Sequence, residues 1–350
     1  MQAPARRILV INLAILVAGL CGLLVLGEVL LRMNYEPHDP MRAAREKYWF
    51  RESDQDLAKV YTLDEDFGFR PILDGALYDE HGALKNEYSI EKRSGVARVL
   101  FVGDSVTRRG RIVSALRRLY GDERFEYWNA GVDSFNTVQE VEFFDRYNAP
   151  LDPDHVVLTF HNNDFETTPV VFLDDDGKMV LYSPFLPRRS VNGWLFRNTL
   201  SYRALLGLLV ETRGRSLRAD IVSETRRALK ELSNTLADRG IEFTVVILPI
   251  LDPTEHWRQE QHDNHATAVA LMEELDLRYF DLLEPMQQAL EEGVNPREGG
   301  EDNWHPSDEV SEYFARHLQA HNLLEVDRER NERDHRHPSA TAAPAPAPRK

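Results

Sequence analysis

The sequence holds one cysteine in 350 residues, Cys21, and it sits inside an apolar N-terminal run, so no internal disulfide can brace the rest of the chain. There is no Asn-x-Ser/Thr acceptor either. Both absences set the chain apart from disulfide-rich, glycosylated eukaryotic secreted proteins and fit a bacterial one. A basic surplus is missing too: 42 Lys and Arg stand against 58 Asp and Glu, a formal net charge of -16, with no Lys/Arg cluster. Neutralising phosphates needs a basic face, so nucleic acid is excluded as an expected partner. What is present is length enough for one large domain with its own core and appendages.

Ile8 to Gly27 has Asn12 as its only polar residue. As a helix this run would reach about 30 Å, the thickness of a bilayer's hydrocarbon core. Arg6 and Arg7 precede it, which keeps residues 1–7 cytoplasmic and sends everything after Arg32 outside. A cleaved signal peptide would have a shorter apolar region and an Ala-x-Ala site, and lipoprotein processing would want a small residue where Leu20 precedes Cys21. The expectation is therefore a single-pass anchor over residues 8–31 in the bacterial inner membrane, with the remainder periplasmic. Residues 32–96 are charged and weakly periodic. Their aromatics, among them Tyr48, Trp49, Phe50, Tyr61, Phe67 and Phe69, predict a linker that becomes an irregular segment laid over the domain, with an ordered turn at Asp66 to Pro71. Residues 326–350 are charged, then Ala/Pro-rich, and are expected to be disordered.

Between these ends the chain is organised around Arg98-Val99-Leu100-Phe101-Val102-Gly103-Asp104-Ser105. Four apolar residues stopping at a small-residue turn predict a buried parallel strand that delivers a serine to its carboxyl end, with a helix on Ile112, Leu116 and Leu119 behind it. Phe125 to Asn129 reads as a second strand, followed by a helix starting near Asn136 or Thr137 and ended by Pro150 and Pro153. His155 to Phe160 reads as a third strand, Phe243 to Pro249 as a fourth and Arg278 to Asp281 as the last. Strands alternating with helices predict an α/β doubly wound parallel sheet. Residues 97–325 would form that domain.

Residues 165–209 interrupt the alternation. Val170 to Leu173 and Met179 to Tyr182 predict a hairpin with an Asp-Gly turn, rather than a calcium loop, because Asp174 to Asp176 lack the rest of that ligand spacing. Asn198 to Val210 predicts a short apolar helix, and Leu217 to Leu236 a separate long one. The insertion follows a motif strand and is expected to wall or cover the site. His256, His262 and His265 do not share a helical face, so they are expected on a solvated surface rather than around a metal.

The chemistry-bearing residues then come in the order Ser105, Gly131, Asn163, Asp302 and His305, each at a strand end or before a helix. Ester cleavage needs a nucleophile, a base, a group to hold that base and donors for the oxyanion. Asp302 and His305, three apart, can leave Nε2 facing Ser105. The N–H groups of Ser105 and Gly131 and the amide of Asn163 can point at one oxygen.

These blocks resemble the SGNH (GDSL-like) hydrolase superfamily: Gly103-Asp104-Ser105, Gly131 after Asn129-Ala130, His161-Asn162-Asn163-Asp164 and Asp302-Asn303-Trp304-His305. The resemblance implies a flavodoxin-like three-layer α/β/α sandwich. It also implies Ser105 as nucleophile, His305 as base and Asp302 as its orienter, with an oxyanion hole from Ser105, Gly131 and Asn163. Val106 replaces the usual leucine, and His161 replaces a glycine, which puts a ring beside the oxyanion site and makes His161 a substrate-side wall. An anchored domain of this kind resembles bacterial envelope proteins acting on acyl groups of polysaccharides. The activity implied is a serine esterase removing O-acyl, in particular acetyl, groups from a carbohydrate or small ester. An acyltransferase with the same triad and a non-catalytic glycan-binding scaffold are the alternatives. No metal and no organic cofactor is implied.

Overall fold

A computed structural model describes residues 3–33, 57–173, 179–182, 192–300 and 302–324. The Asp174 to Gly177 turn and the tail from 326 onward lie outside the described residues. An N-terminal helix, α1 (Ala3–Met33), is long and apolar enough to cross a membrane, and its apolar window Ala14–Met33 is unburied. A small hairpin, β1 (Tyr61–Asp64) and β2 (Gly68–Pro71), turns at the Asp66–Gly68 corner expected from the sequence.

The domain proper is a parallel five-stranded sheet. In chain order its first half is β3 (Ala97–Val102), α2 (Ser105–Arg109), α3 (Arg111–Tyr120), β4 (Phe125–Asn129), α4 (Thr137–Phe143) and β5 (His155–Phe160). The hairpin β6 (Val170–Leu173) and β7 (Met179–Tyr182) follows, then α5 (Gly193–Asn198) and α6 (Leu200–Asp238). The second half is β8 (Glu242–Ile247), α7 (Gln259–Glu274), β9 (Tyr279–Asp281), α8 (Leu283–Glu291) and α9 (Asp308–Ala320). The strand order β4-β3-β5-β8-β9 is the flavodoxin-like arrangement.

Alternation along each strand divides the core. Leu100, Val102, Val156, Leu158, Val245 and Ile247 face α4, α6 and α7. Val99, Phe101, Val157 and Val246 face α3, α8 and α9. With helices on both faces, this is the three-layer α/β/α sandwich that the sequence predicts. Asn136 caps α4 in a capping box with Gln139, at the start expected for that helix, and Ser307 caps α9.

Two expectations are corrected. The helices read at Asn198 to Val210 and Leu217 to Leu236 are one, since α6 runs unbroken for 39 residues after the short α5. The stretch between them contains no proline, and its Gly214 costs only about 1 kcal/mol in a helix interior. Burial of Ile221, Leu229, Leu232 and Leu236 against the sheet outweighs that. Nor does His265 lie on a solvated face: its ring is 14% exposed, and Nε2 bonds to Asp281 Oδ2 at 3.0 Å.

The segment over the domain is built from aromatics. Tyr61, Phe67, Phe69 and Tyr78 are buried against Val132, Phe135 and Phe143, with Phe67 stacked on Phe135. This third cluster covers the turn that leaves β4, which is also the turn that carries Gly131.

Candidate active site

The sheet's carboxyl edge gathers the residues that the motifs singled out. β3 runs into Gly103, where a Cβ would stand 2.2 Å from Thr107 Oγ1, so only glycine lets the chain turn so tightly into α2. Asp104 then accepts the Val106 N–H at 2.8 Å and caps α2, presenting Ser105 at the first position of that helix. Gly131 is required for a related reason: a Cβ there would meet Arg108 N at 2.2 Å, so the β4 turn can lie against α2 only with a bare Cα.

The partner loop arrives from far along the chain. Arg297 and Pro306 form an isolated antiparallel bridge, the Glu298 N–H donates to His305 O at 2.9 Å, and the Leu251 N–H donates to Asn303 O at 2.9 Å. These bonds hold the 297–306 loop against the end of β8. Glu298 is also ion-paired with Arg109 and Arg111, which joins this loop to α2 and α3.

The result is a hydrogen-bonded chain: Ser105 Oγ lies 2.8 Å from His305 Nε2, and His305 Nδ1 lies 2.7 Å from Asp302 Oδ2. A carboxylate can only accept, so Nδ1 carries the proton, Nε2 is the acceptor and the serine hydroxyl donates. Burial works against ionisation of Asp302. Bonds from the His305 ring and the Trp304 and His305 N–H groups outweigh it and hold the carboxyl below its ordinary range. Ser105 is part-buried and the His305 ring is 14% exposed, so the pair is reachable from one side.

The two other predicted oxyanion donors already have acceptors. The Gly131 N–H donates to Asn129 Oδ1 at 2.9 Å, and Asn129 in turn donates to Thr107 O at 2.6 Å. Asn163 Nδ2 donates to Phe135 O at 3.1 Å and is also hydrogen-bonded to Asp104. His161 stands behind Asn163 rather than in the open. It is 1% exposed, its Nδ1 is 3.3 Å from Asn163 Oδ1, and its ring packs on Trp304 with centroids 4.8 Å apart. Burial depresses its pKa to about 3, against the Asn163 hydrogen bond, so the ring is neutral.

Beneath this edge lie three carboxyls to which the motifs gave no role, one of them, Glu140, outside every motif block. Asp104, Glu140 and Asp164 are all buried, 2% exposed or less. Burial raises all three pKa values, Asp104 to about 6, and repulsion adds to the rise: from Asp133 at Asp104, from Asp164 and Asp104 at Glu140, and from Asp104 at Asp164. Neither carboxyl oxygen of Glu140 has a hydrogen-bond partner. On the other flank Tyr78 donates to Gly131 O at 2.9 Å and Tyr61 to Asp133 Oδ2 at 3.0 Å, while Asp133 pairs with Arg108. No sequence signal could have found these contacts, which join residues 53 and 72 apart in the chain.

Glu298, Asp302 and His305 are the one cluster among the described residues whose ligand atoms, all within 4.8 Å of one another, could converge on a metal. Each is already engaged: Glu298 by two arginines, Asp302 by His305, and both His305 nitrogens by Asp302 and Ser105. The donor set therefore fits proton transfer better than metal ligation.

No family model matches the chain, and no curated protein matches it. Among solved structures it is similar to an acetylxylan esterase from Geobacillus stearothermophilus, at 14% identity over 65% of this chain and 95% of the other, with a TM-score of 0.42. It is also similar to an alpha/beta hydrolase enzyme from the metagenome of Lake Arreo, Spain, at 14% identity over 66% and 97% of the two chains, TM-score 0.43. Another acetyl xylan esterase matches at 14% identity over 64% and 98%, TM-score 0.41. A likeness this distant carries neither a substrate nor a residue's role across to this chain.

Proposed function

We propose that this chain is a membrane-anchored serine esterase that removes O-acyl groups, in particular acetyl, from carbohydrate on the periplasmic side of the bacterial inner membrane. The observation that supports it best is the order Ser105, His305, Asp302, bonded at 2.8 and 2.7 Å at the sheet edge where open α/β folds bind ligands. The carbohydrate and the acetyl group rest on the resemblance of an anchored domain of this kind to envelope proteins.

In the mechanism, Ser105 Oγ attacks the ester carbonyl while His305 Nε2 takes its proton, and the Asp302 carboxylate stabilises the imidazolium. The tetrahedral intermediate collapses with proton return from His305 to the leaving sugar oxygen. Water, deprotonated by His305, then attacks the acyl-enzyme and releases the carboxylic acid and Ser105. The oxyanion takes the Ser105 N–H. To add Gly131 and Asn163 it must displace Asn129 Oδ1 and Phe135 O, as donors in apo sites commonly tighten only around the reacting group. Neutral His161 fixes the Asn163 amide from behind, so its part in substrate binding is through that amide.

Labelling the full chain with a fluorophosphonate, mapping the adduct, and repeating with Ser105→Ala tests the reading. An adduct on Ser105 that the variant lacks is expected, with acetate released from an acetylated oligosaccharide. No adduct in folded protein would overturn the esterase in favour of a scaffold. Acetyl transfer to an added sugar in place of free acetate would replace hydrolase by acyltransferase.

A further inference from the structure

The outer end of α1 is joined to the insertion by a specific polar contact. Glu28 is the only acidic residue of α1, lying within its apolar window. Its Oε1 accepts the Leu200 N–H at 3.1 Å, and its Oε2 accepts the Ser201 N–H and Oγ at 2.9 and 2.8 Å. These are the first amides of α6, donors that no intrahelical carbonyl can satisfy. Arg32 completes the junction, donating to Glu28 at 2.8 Å and to Asn198 O, at the end of α5, at 2.8 Å. A carboxylate at bilayer depth is unfavourable unless its partners come from the protein. Here they come from α6, which brings the α5–α6 junction to the depth of Glu28.

The side chains around that junction are apolar and face outward. Trp194 on α5 is 69% exposed, and Leu205 and Leu208 on α6 are 51% and 57% exposed. Leu205 and Leu208, three apart, share a helix face. From Leu200 to Val210 the sequence has one charged residue, Arg203. Surface helices of soluble domains do not group such residues without a cover, and a tryptophan at the edge of an apolar patch is typical of a membrane–water interface.

We propose that α5 and the first turns of α6 are immersed in the outer leaflet of the bilayer that α1 spans, with acyl chains covering Trp194, Leu205 and Leu208. This rests on the anchor reading. It makes α6 a strut. The Thr225 hydroxyl, in its buried half, donates to Asp164 O at 3.1 Å, directly after Asn163. From Leu200 to Thr225 the helix rises about 37 Å, so the site would stand at most about that far above the lipid, in reach of a polymer rather than a headgroup.

Spin labelling of the full chain in nanodiscs of phosphatidylethanolamine and phosphatidylglycerol tests this. Native Cys21 reports the anchor; Leu205→Cys, Leu208→Cys and Lys230→Cys, each in a Cys21→Ala background, report the insertion and a solvent-exposed control. Labels at 21, 205 and 208 are expected to favour oxygen over a nickel chelate relative to 230, because an apolar gas enters the hydrocarbon core and a polar chelate stays in water. A lipid-like label at 21 with 205 and 208 behaving like 230 overturns the immersion and leaves the anchor standing. A label at 21 behaving like 230 removes both. Glu28→Gln should raise nickel access at 205 severalfold with 21 unchanged, whereas unchanged access at 205 would overturn the tie through Glu28.

Discussion

Two sets of buried charges lie at opposite edges of the same sheet, and they are treated in opposite ways. At the amino edge Arg98 and Glu126, each 1% exposed and adjacent in the β3–β4 register, pair at 2.9 Å. Arg98 also donates to Ile90 O, Leu151 O and Ser89 O, and Glu126 accepts from Arg93 and Trp128. At the carboxyl edge Asp104, Glu140 and Asp164 repel one another with no arginine or lysine among them. The first set leaves no buried charge without a partner, whereas the second gathers carboxyls whose ionisation burial opposes, the kind of perturbed cluster that accompanies functional sites.

The edges therefore respond to pH with opposite sign. Burial opposes ionisation of Glu126, but its bonds from Arg93, Arg98 and Trp128 lower its pKa, so its contribution is present above the ordinary carboxylate range and is lost as pH falls. Asp104, Glu140 and Asp164 are raised by burial, so theirs is present in acid and is lost as pH rises through their folded values, about 6 for Asp104.

The largest break in this contrast is at Asp302, a carboxylate of the site edge that its hydrogen bonds hold ionised. Asp302→Asn should lower esterase turnover by about 10⁴-fold through the wrong His305 tautomer, with unfolding by urea unchanged. Next is Arg98→Ala, which leaves Glu126 with only Arg93 and Trp128 and takes the donor from three carbonyls. A loss of about 3–5 kcal/mol in urea unfolding is expected, the cost of breaking a buried pair from one side. The smallest is Glu140→Gln, which removes a buried carboxyl that has no hydrogen-bond partner and whose ionisation burial opposes. A gain that grows to about 1–3 kcal/mol as pH rises above the ordinary carboxylate range, and none in acid, should appear in melts across pH, and a loss at high pH would contradict the acidic-edge account.

Legibility followed distance along the chain. Strands, the start of α4 near Asn136 and the β6–β7 hairpin were readable because alternation and helix starts are properties of neighbours, as the bond from the Gln139 N–H to Asn136 illustrates. Burial of Arg98 was not, since a charged residue opening a strand reads as solvated until its partner on the next strand is known. The unbroken α6 was not either, because local propensity at Gly214 gives way to packing from Ile221 onward.

By itself, then, the sequence determined the alternating α/β order, the serine turn and the residue types that stand at strand ends. Only the tertiary structure decided which of them meet. Ser105 and His305 are 200 residues apart and lie 2.8 Å from each other because the strand order brings β3 and the loop beyond β9 to one edge. The same packing engages the Gly131 and Asn163 donors, lays Tyr61 and Tyr78 against the β4 turn, and stacks three carboxyls beneath the serine. Local patterns specify backbone conformation through neighbouring residues, whereas hydrogen bonds between distant side chains depend on topology, which no single stretch encodes.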